Sequence, residues 1–267
     1  MKTLIGISGK MGSGKDTVGS IIQALTGTGF GNNEDFEIFK KTGLMPISTN
    51  QSPFVVKKFA GKLKDIICLL LGCTRDDLES AEFKHKELGE EWWKFDETAI
   101  KNWLLRDGYS REDIDDDKSI FMDNYKRSPV GIEKLTPRLI LQKLGTDCGR
   151  DIIHPNIWVN ALFADYRPLN PENRASMGNV IDYGDCTWPS WIITDLRFPN
   201  ELEAIKSRAG GLTIRVNTNR AGELSDHESE TALDSAEFDY VIDNSGTIEE
   251  LNEEVKRILV AEQIITG

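Results

Sequence analysis

Three observations predict an α/β fold, with a parallel sheet flanked by helices and an inserted, mostly helical cap. A short apolar run at residues 3–8 leads through a glycine-rich loop into a helix. Apolar strand-like runs and amphipathic helices alternate again from Pro53 and from Thr136 onward. Between Thr74 and Glu133 that alternation gives way to charged residues, Trp92, Trp93, Trp103 and the acidic run Asp113-Ile-Asp-Asp-Asp117. The core is therefore expected to comprise residues 1–73 and 134–267, and the cap residues 74–133.

Residues 3–8, Thr-Leu-Ile-Gly-Ile-Ser, read as a buried strand, and the chain continues as Gly9-Lys-Met-Gly-Ser-Gly-Lys15-Asp-Thr17. Gly9, Gly12, Ser13, Gly14 and Lys15 keep the spacing of a phosphate-binding loop. Successive backbone N–H groups can point at phosphate oxygens there, while the Lys15 ammonium reaches the outer ones. A helix is expected over residues 15–25, and its N-terminal dipole favours the same anion. ATP with Mg²⁺ is the expected ligand. Asp16 stands where a serine or threonine hydroxyl normally meets the metal, and a hydroxyl arrives one residue later, at Thr17. Thr17 is expected to supply the metal-side hydroxyl, and Asp16 a charge at the helix start or behind the metal's ligands.

A chain of 267 residues can bury a sizeable core, and 39% hydrophobic with 28% charged residues is ordinary for a globular protein. No apolar run approaches the roughly 20 residues that span a bilayer, so no membrane partner is expected. The N-terminus enters the phosphate loop without a leader-like segment, which points to a cytoplasmic protein. A net charge of -12 repels polyanions, so no nucleic-acid partner is expected, whereas a small nucleotide needs only a few clustered cations. Cys68, Cys73, Cys148 and Cys186 read as buried reduced thiols, and His85, His154 and His227 are too scattered to form a metal cluster. The oligomeric state is left open, a homodimer being one assembly.

Along the chain, residues 26–52 read as a surface excursion with a short candidate strand at residues 36–39, followed by a core strand over 53–60 and a helix over 62–71. Lys62 and Lys64 fall in the first turn of that helix, beyond a strand end, where open α/β sheets place ligand groups. Thr136-Pro137 starts another helix, with threonine as N-cap and proline at its first position. That helix delivers Gln142, Thr146, Asp147 and Arg150 at helical or near-helical steps, before a second apolar helix with Trp158. Residues 168–189 read as a loop, and a strand over 191–194 ends at Asp195, a second candidate metal ligand, with Arg197 two residues on. A strand over 212–217 leads to Arg220 and to the polar residues 226–230, where a lid is expected. The strand at residues 240–243 is followed by a helix capped by Thr247 and Glu250.

Several of these pieces resemble one family, the phage deoxynucleoside monophosphate kinases of the P-loop kinase superfamily. The resemblance rests on Gly9 to Thr17, Phe59-Ala-x-x-Leu-Lys64, Gln142-x-x-Gly-Thr-Asp-x-x-Arg150 with Trp158, Asp195-Leu-Arg-Phe-Pro-Asn-Glu201, Asp226-His-x-Ser-Glu230 and Asp243-Asn-Ser-Gly-Thr247. It implies a P-loop kinase core and a nucleoside monophosphate acceptor. It further implies that Arg150 and Arg197 bind the acceptor phosphate with help from Lys64 and that Arg220 lies near the lid. The cluster of Gln142, Thr146, Asp147 and Arg150, ahead of the helix with Trp158, itself favours an acceptor site beside the phosphate loop. Asn244 and Gly246 are implied to lie near the donor adenine. Residues 74–133 carry no part of the resemblance. Animal-type phosphomevalonate kinase shares parts of the layout, so another small phosphorylated acceptor stays open. A P-loop ATPase coupled to a protein or DNA is the remaining rival, opposed by the acidic charge and by the acceptor-like cluster around Arg150.

Overall fold

The computed structural model describes residues 2–27, 52–92, 97–106, 108–112, 134–168, 188–219 and 231–266. The candidate strand at 36–39, Arg220, the expected lid, the acidic run at 113–117, Cys186 and His227 lie outside them. The chain divides into two compact units, Met1–Lys62 with Pro155–Gly267, and Leu63–His154.

The first unit is built on five parallel strands in the order β2-β3-β1-β4-β5. These are β1 (Leu4–Gly9), β2 (Phe54–Lys57), β3 (Ser190–Leu196), β4 (Gly211–Asn217) and β5 (Tyr240–Asp243). β1 lies at the centre, with Leu4 opposite Trp191 on one side and Gly211 on the other. Its six residues are all buried, as a strand covered on both faces requires.

Alternation along the strands divides the core between the two faces of the sheet. On one face Ile5, Ile7, Ile192, Ile214 and Val216 pack with Val18, Ile21 and Ile22 of α1 (Lys15–Thr26) and with Leu251, Val255 and Leu259 of the C-terminal helix Ile248–Ala261. On the other, Leu4, Trp191, Ile193 and Leu196 pack with Val159, Leu162 and Phe163 of the helix Ile157–Phe163 and with Leu202 and Ile205 of the helix Pro199–Lys206. The C-terminal helix starts as its sequence predicts: the Thr247 hydroxyl accepts from Glu250 N, and the Glu250 carboxylate accepts from Thr247 N.

Chain passes to the second unit within α2 (Gly61–Leu71), which continues into two short helices, Arg75–Glu79 and Ala81–His85. Thr74 and Ser80 cap these through their hydroxyls. Leu88 N donates to Leu135 O at 2.9 Å and Lys134 pairs with Glu87, so the two ends of the stretch 88–135 are held together. Thr136 and Pro137 begin α3 (Pro137–Gln142) as expected, with the Thr136 hydroxyl accepting from Leu139 N. Beyond Gln142 the regular helix expected from sequence gives way to a wider coil of π type, Lys143–Ile153. Gly145 and Gly149, both buried and low in helix propensity, fall inside that coil. π-type turns recur at functional sites.

Among the described residues no helix is long and apolar enough to cross a membrane. Cys68, Cys73 and Cys148 are free thiols, half-buried and not fully buried as expected.

Candidate active site

The strands of the first unit all point the same way, so their C-terminal ends share one edge, where ligands bind in open α/β sheets. Gly9 ends β1 there, Lys57 ends β2, Asp195 is the penultimate residue of β3, Asn217 ends β4 and Asp243 ends β5.

Between Gly9 and α1 the loop turns through two left-handed residues, Gly12 at φ 79° and Gly14 at φ 90°. A side chain would strain both conformations. Gly14 is also approached by the Asn244 amide, which leaves no room for a Cβ. Asn244 Nδ2 donates to Ser13 O at 2.9 Å, and Asn244 N donates to Asn217 O at 2.7 Å. The residue implied to lie near the adenine thus braces the phosphate loop from β5. Replacing Asn244 by alanine is expected to cost about 1 kcal/mol of stability, the usual worth of such a bond, and to raise the KM for the nucleotide severalfold. Chemical denaturation and donor kinetics measure the two effects.

Lys15 is nearly buried, and its ammonium lies 3.4 Å from Lys10 O. The Ser13 hydroxyl is buried and makes no hydrogen bond among the described residues. Lys10 reaches Asp234 at 3.0 Å, and Asp234 also accepts from the Arg215 guanidinium at 2.7 Å. Arg215 is buried on β4 and donates to the Ser8 hydroxyl, one residue before the loop. Sequence reading missed this chain of polar groups. Its signal is an arginine inside a strand that otherwise alternates as apolar.

Asp16, in the first turn of α1, accepts from the Thr194 hydroxyl at 2.8 Å and pairs with Lys58 at 3.1 Å. Partial burial pushes its carboxyl up, but the Thr194 hydrogen bond and the Lys58 and Lys15 charges outweigh that and hold it below the ordinary range. Asp195 is half-buried and takes two backbone donors, Phe59 N at 2.8 Å and Ala60 N at 3.0 Å, one on each oxygen. Burial pushes its carboxyl up, against those two N–H groups and the charges of Lys58 and Arg197. Asp195 therefore fastens the turn after β2 to β3. Thr17 is half-buried beside Asp16.

Arg197 follows directly on β3, and its backbone N–H, with that of Phe198, donates to the buried Glu201 carboxylate at 2.9 and 3.1 Å. Glu201 so fixes the bend from which Arg197 projects. Asn200 donates to Pro155 O and to Asn156 Oδ1 ahead of the helix that carries the buried Trp158. Gly246 lies in the turn between β5 and the last helix.

The second unit holds Lys64, Gln142, Thr146, Asp147 and Arg150. Lys64 pairs with Glu79, whose carboxylate also meets Lys84 at 3.4 Å. Gln142, Thr146 and Asp147 are exposed, Arg150 is half-buried, and Gly145 lies against the Leu63 side chain at the start of α2. Among the described residues no group of three or more His, Cys, Asp and Glu could hold a metal on its own.

Comparison with known proteins agrees with this layout. The chain is 26% identical over 255 residues to the deoxynucleoside-5'-monophosphate kinase of Escherichia phage T5, covering 87% of this chain and 86% of that protein. It is 32% identical over 124 residues to the deoxynucleotide monophosphate kinase of Escherichia phage RB69, covering 46% of this chain and 44% of that one. The family model for deoxynucleotide monophosphate kinase matches residues 99–255. That match takes in the π-type coil, the end of β3 with Arg197 and the β5 turn with Asn244, and it spans more than half of the chain: the protein belongs to the deoxynucleotide monophosphate kinase family.

Proposed function

We propose that this protein transfers the γ-phosphoryl group of ATP to the phosphate of a deoxynucleoside monophosphate, giving ADP and the deoxynucleoside diphosphate. The observation that supports this most is the phosphate loop at the sheet edge, with Gly12 and Gly14 in left-handed conformations and Lys15 next to them. The residues present fit a nucleotide triphosphate. Backbone N–H groups of the loop and the N-terminal turn of α1 supply donors, the Ser13 hydroxyl is a buried polar atom without a partner among the described residues, and Lys15 supplies the cation. They also fit Mg²⁺, which binds such sites through one or two protein oxygens and the substrate's phosphates. Asp16 and Thr17 would hold it, and it would neutralise charge on the phosphates.

In the transfer the bond from the γ-phosphorus to the β–γ bridging oxygen breaks, and a bond to an oxygen of the acceptor phosphate forms. The acceptor is already an anion, so no strong general base is required. The barrier lies in bringing two anions together and in stabilising the charge on the moving group. Lys15 serves that charge from the donor side. Arg150 and Arg197 are the proposed counter-ions of the acceptor phosphate, because a guanidinium can meet two phosphate oxygens at once. Lys64, Gln142, Thr146, Asp147 and Trp158 are proposed to complete the acceptor site, and Arg220 to act near a closing segment that keeps water from the donor. Asn244 and Gly246 are proposed to border the donor base.

The test is a panel of deoxynucleoside and ribonucleoside monophosphates incubated with ATP and Mg²⁺, with diphosphates measured as products. Formation of ADP and inorganic phosphate with no diphosphate from any acceptor would overturn the reading. Arg150→Lys and Arg197→Lys are each expected to lower kcat/KM for the monophosphate by about tenfold or more while ATP binding without acceptor changes little. Weakened ATP binding with an unchanged acceptor KM would move these arginines to the donor side.

A further inference from the structure

β2 ends at Lys57, and the chain leaves the sheet through Lys58, Phe59 and Ala60 before α2 begins at Gly61. Three backbone hydrogen bonds fix this turn. Asp195 accepts from Phe59 N and Ala60 N, and Lys58 O accepts from Gly61 N at 2.9 Å. The base of the Lys58 side chain is therefore fixed by the backbone, whatever its ammonium touches. That ammonium lies 3.1 Å from Asp16 Oδ1, the oxygen that also accepts from Thr194. The ends of β2 and β3 thus converge on one carboxylate, immediately after Lys15.

We propose that Lys58 is a positioning residue of the phosphoryl-transfer site, a tethered counter-ion that occupies the Asp16 carboxylate and yields it when a divalent cation enters at the phosphate loop. This rests on the reading of that loop as the donor site. A bare carboxylate beside a polyphosphate would repel it, and Lys58 removes that charge while the site waits. The pair is 38% and 62% exposed, so solvent screens it and it can part readily. Thr194 continues to orient Asp16 after the ammonium leaves, and the pinned turn limits the ammonium to swinging on its own four-carbon stem. Lys58 therefore competes for Asp16 with any cation that approaches it, directly or through water. It was not among the residues singled out by motif, because a lysine after a strand reads as an ordinary solvated side chain.

The experiment measures Mn²⁺ binding by electron paramagnetic resonance in the presence of saturating ADP, for the full chain and for Lys58→Met, Lys58→Arg and Asp16→Asn. ADP binding without metal is measured first by calorimetry, and the fold of each variant is checked by its Tm. With the competing ammonium gone, Lys58→Met is expected to bind Mn²⁺ roughly three- to tenfold more tightly, and Lys58→Arg to restore the weaker binding of the parent. In the Asp16→Asn background the effect of Lys58→Met should vanish. A folded Lys58→Met that binds Mn²⁺ no more tightly than the parent would overturn the proposal. So would a tightening that persists after Asp16→Asn. Failure of the parent chain to bind ADP would instead remove the donor-site reading, and this inference with it.

Discussion

Replacing Lys15 with alanine is expected to lower the rate of diphosphate formation by about a hundredfold or more, with the fold intact. Lys15 is the loop cation proposed to meet the outer phosphates, and its ammonium lies near Lys10 O, among loop groups and not in the apolar core. The other lysine of the loop, Lys10, is paired with Asp234 at 3.0 Å. Single-turnover rates at saturating ATP and acceptor check the loss. Tm should move little, because truncation leaves the packing of α1 through Val18, Ile21 and Ile22 untouched. Activity within a few-fold of the parent would remove the phosphate-loop assignment.

Replacing Asp195 with alanine is expected to cost about 2–4 kcal/mol of stability and most of the activity. Both carboxylate oxygens are used by backbone donors, so the truncation orphans Phe59 N and Ala60 N. Each buried unpaired N–H costs about 1–3 kcal/mol, and relief of the buried charge returns part of that loss. The turn after β2 would then lose its attachment to β3, and Lys58 its fixed base. Chemical denaturation measures the first effect. The second should show as a lower kcat at saturating ATP, even at temperatures where the variant is fully folded. If Asp195 served only as a metal ligand, stability would be unchanged and added Mg²⁺ would recover activity.

The core was legible because its signals are local. Apolar periodicity marked β1, β3, β4, β5, α1 and α2 to within a residue or two, since burial on a sheet face or a helix stripe follows directly from side-chain spacing. Thr136-Pro137 and Thr247 with Glu250 predicted their helix starts, because a cap involves a few consecutive residues and their own backbone. The glycines of the phosphate loop were readable for the same reason. The change of helix type after Gln142 was not, because the pattern of apolar residues there accommodates either coil.

What the sequence by itself determined is thus the fold class, the order of its core elements and the glycine-rich loop between β1 and α1. Tertiary structure decided the partner of each polar group at the sheet edge. Asp195 at the end of a strand reads the same whether it meets a metal or two backbone N–H groups, and its donors lie 136 and 135 residues away in the chain. Asn244 braces Ser13 across 231 residues, and Lys58 meets Asp16 from a different strand end. Hydrophobic periodicity fixes which face of an element is buried, but it carries no information about which hydrogen-bonding groups meet once the strands lie side by side. Those pairings depend on strand order and register, and they appear only when the sheet is assembled.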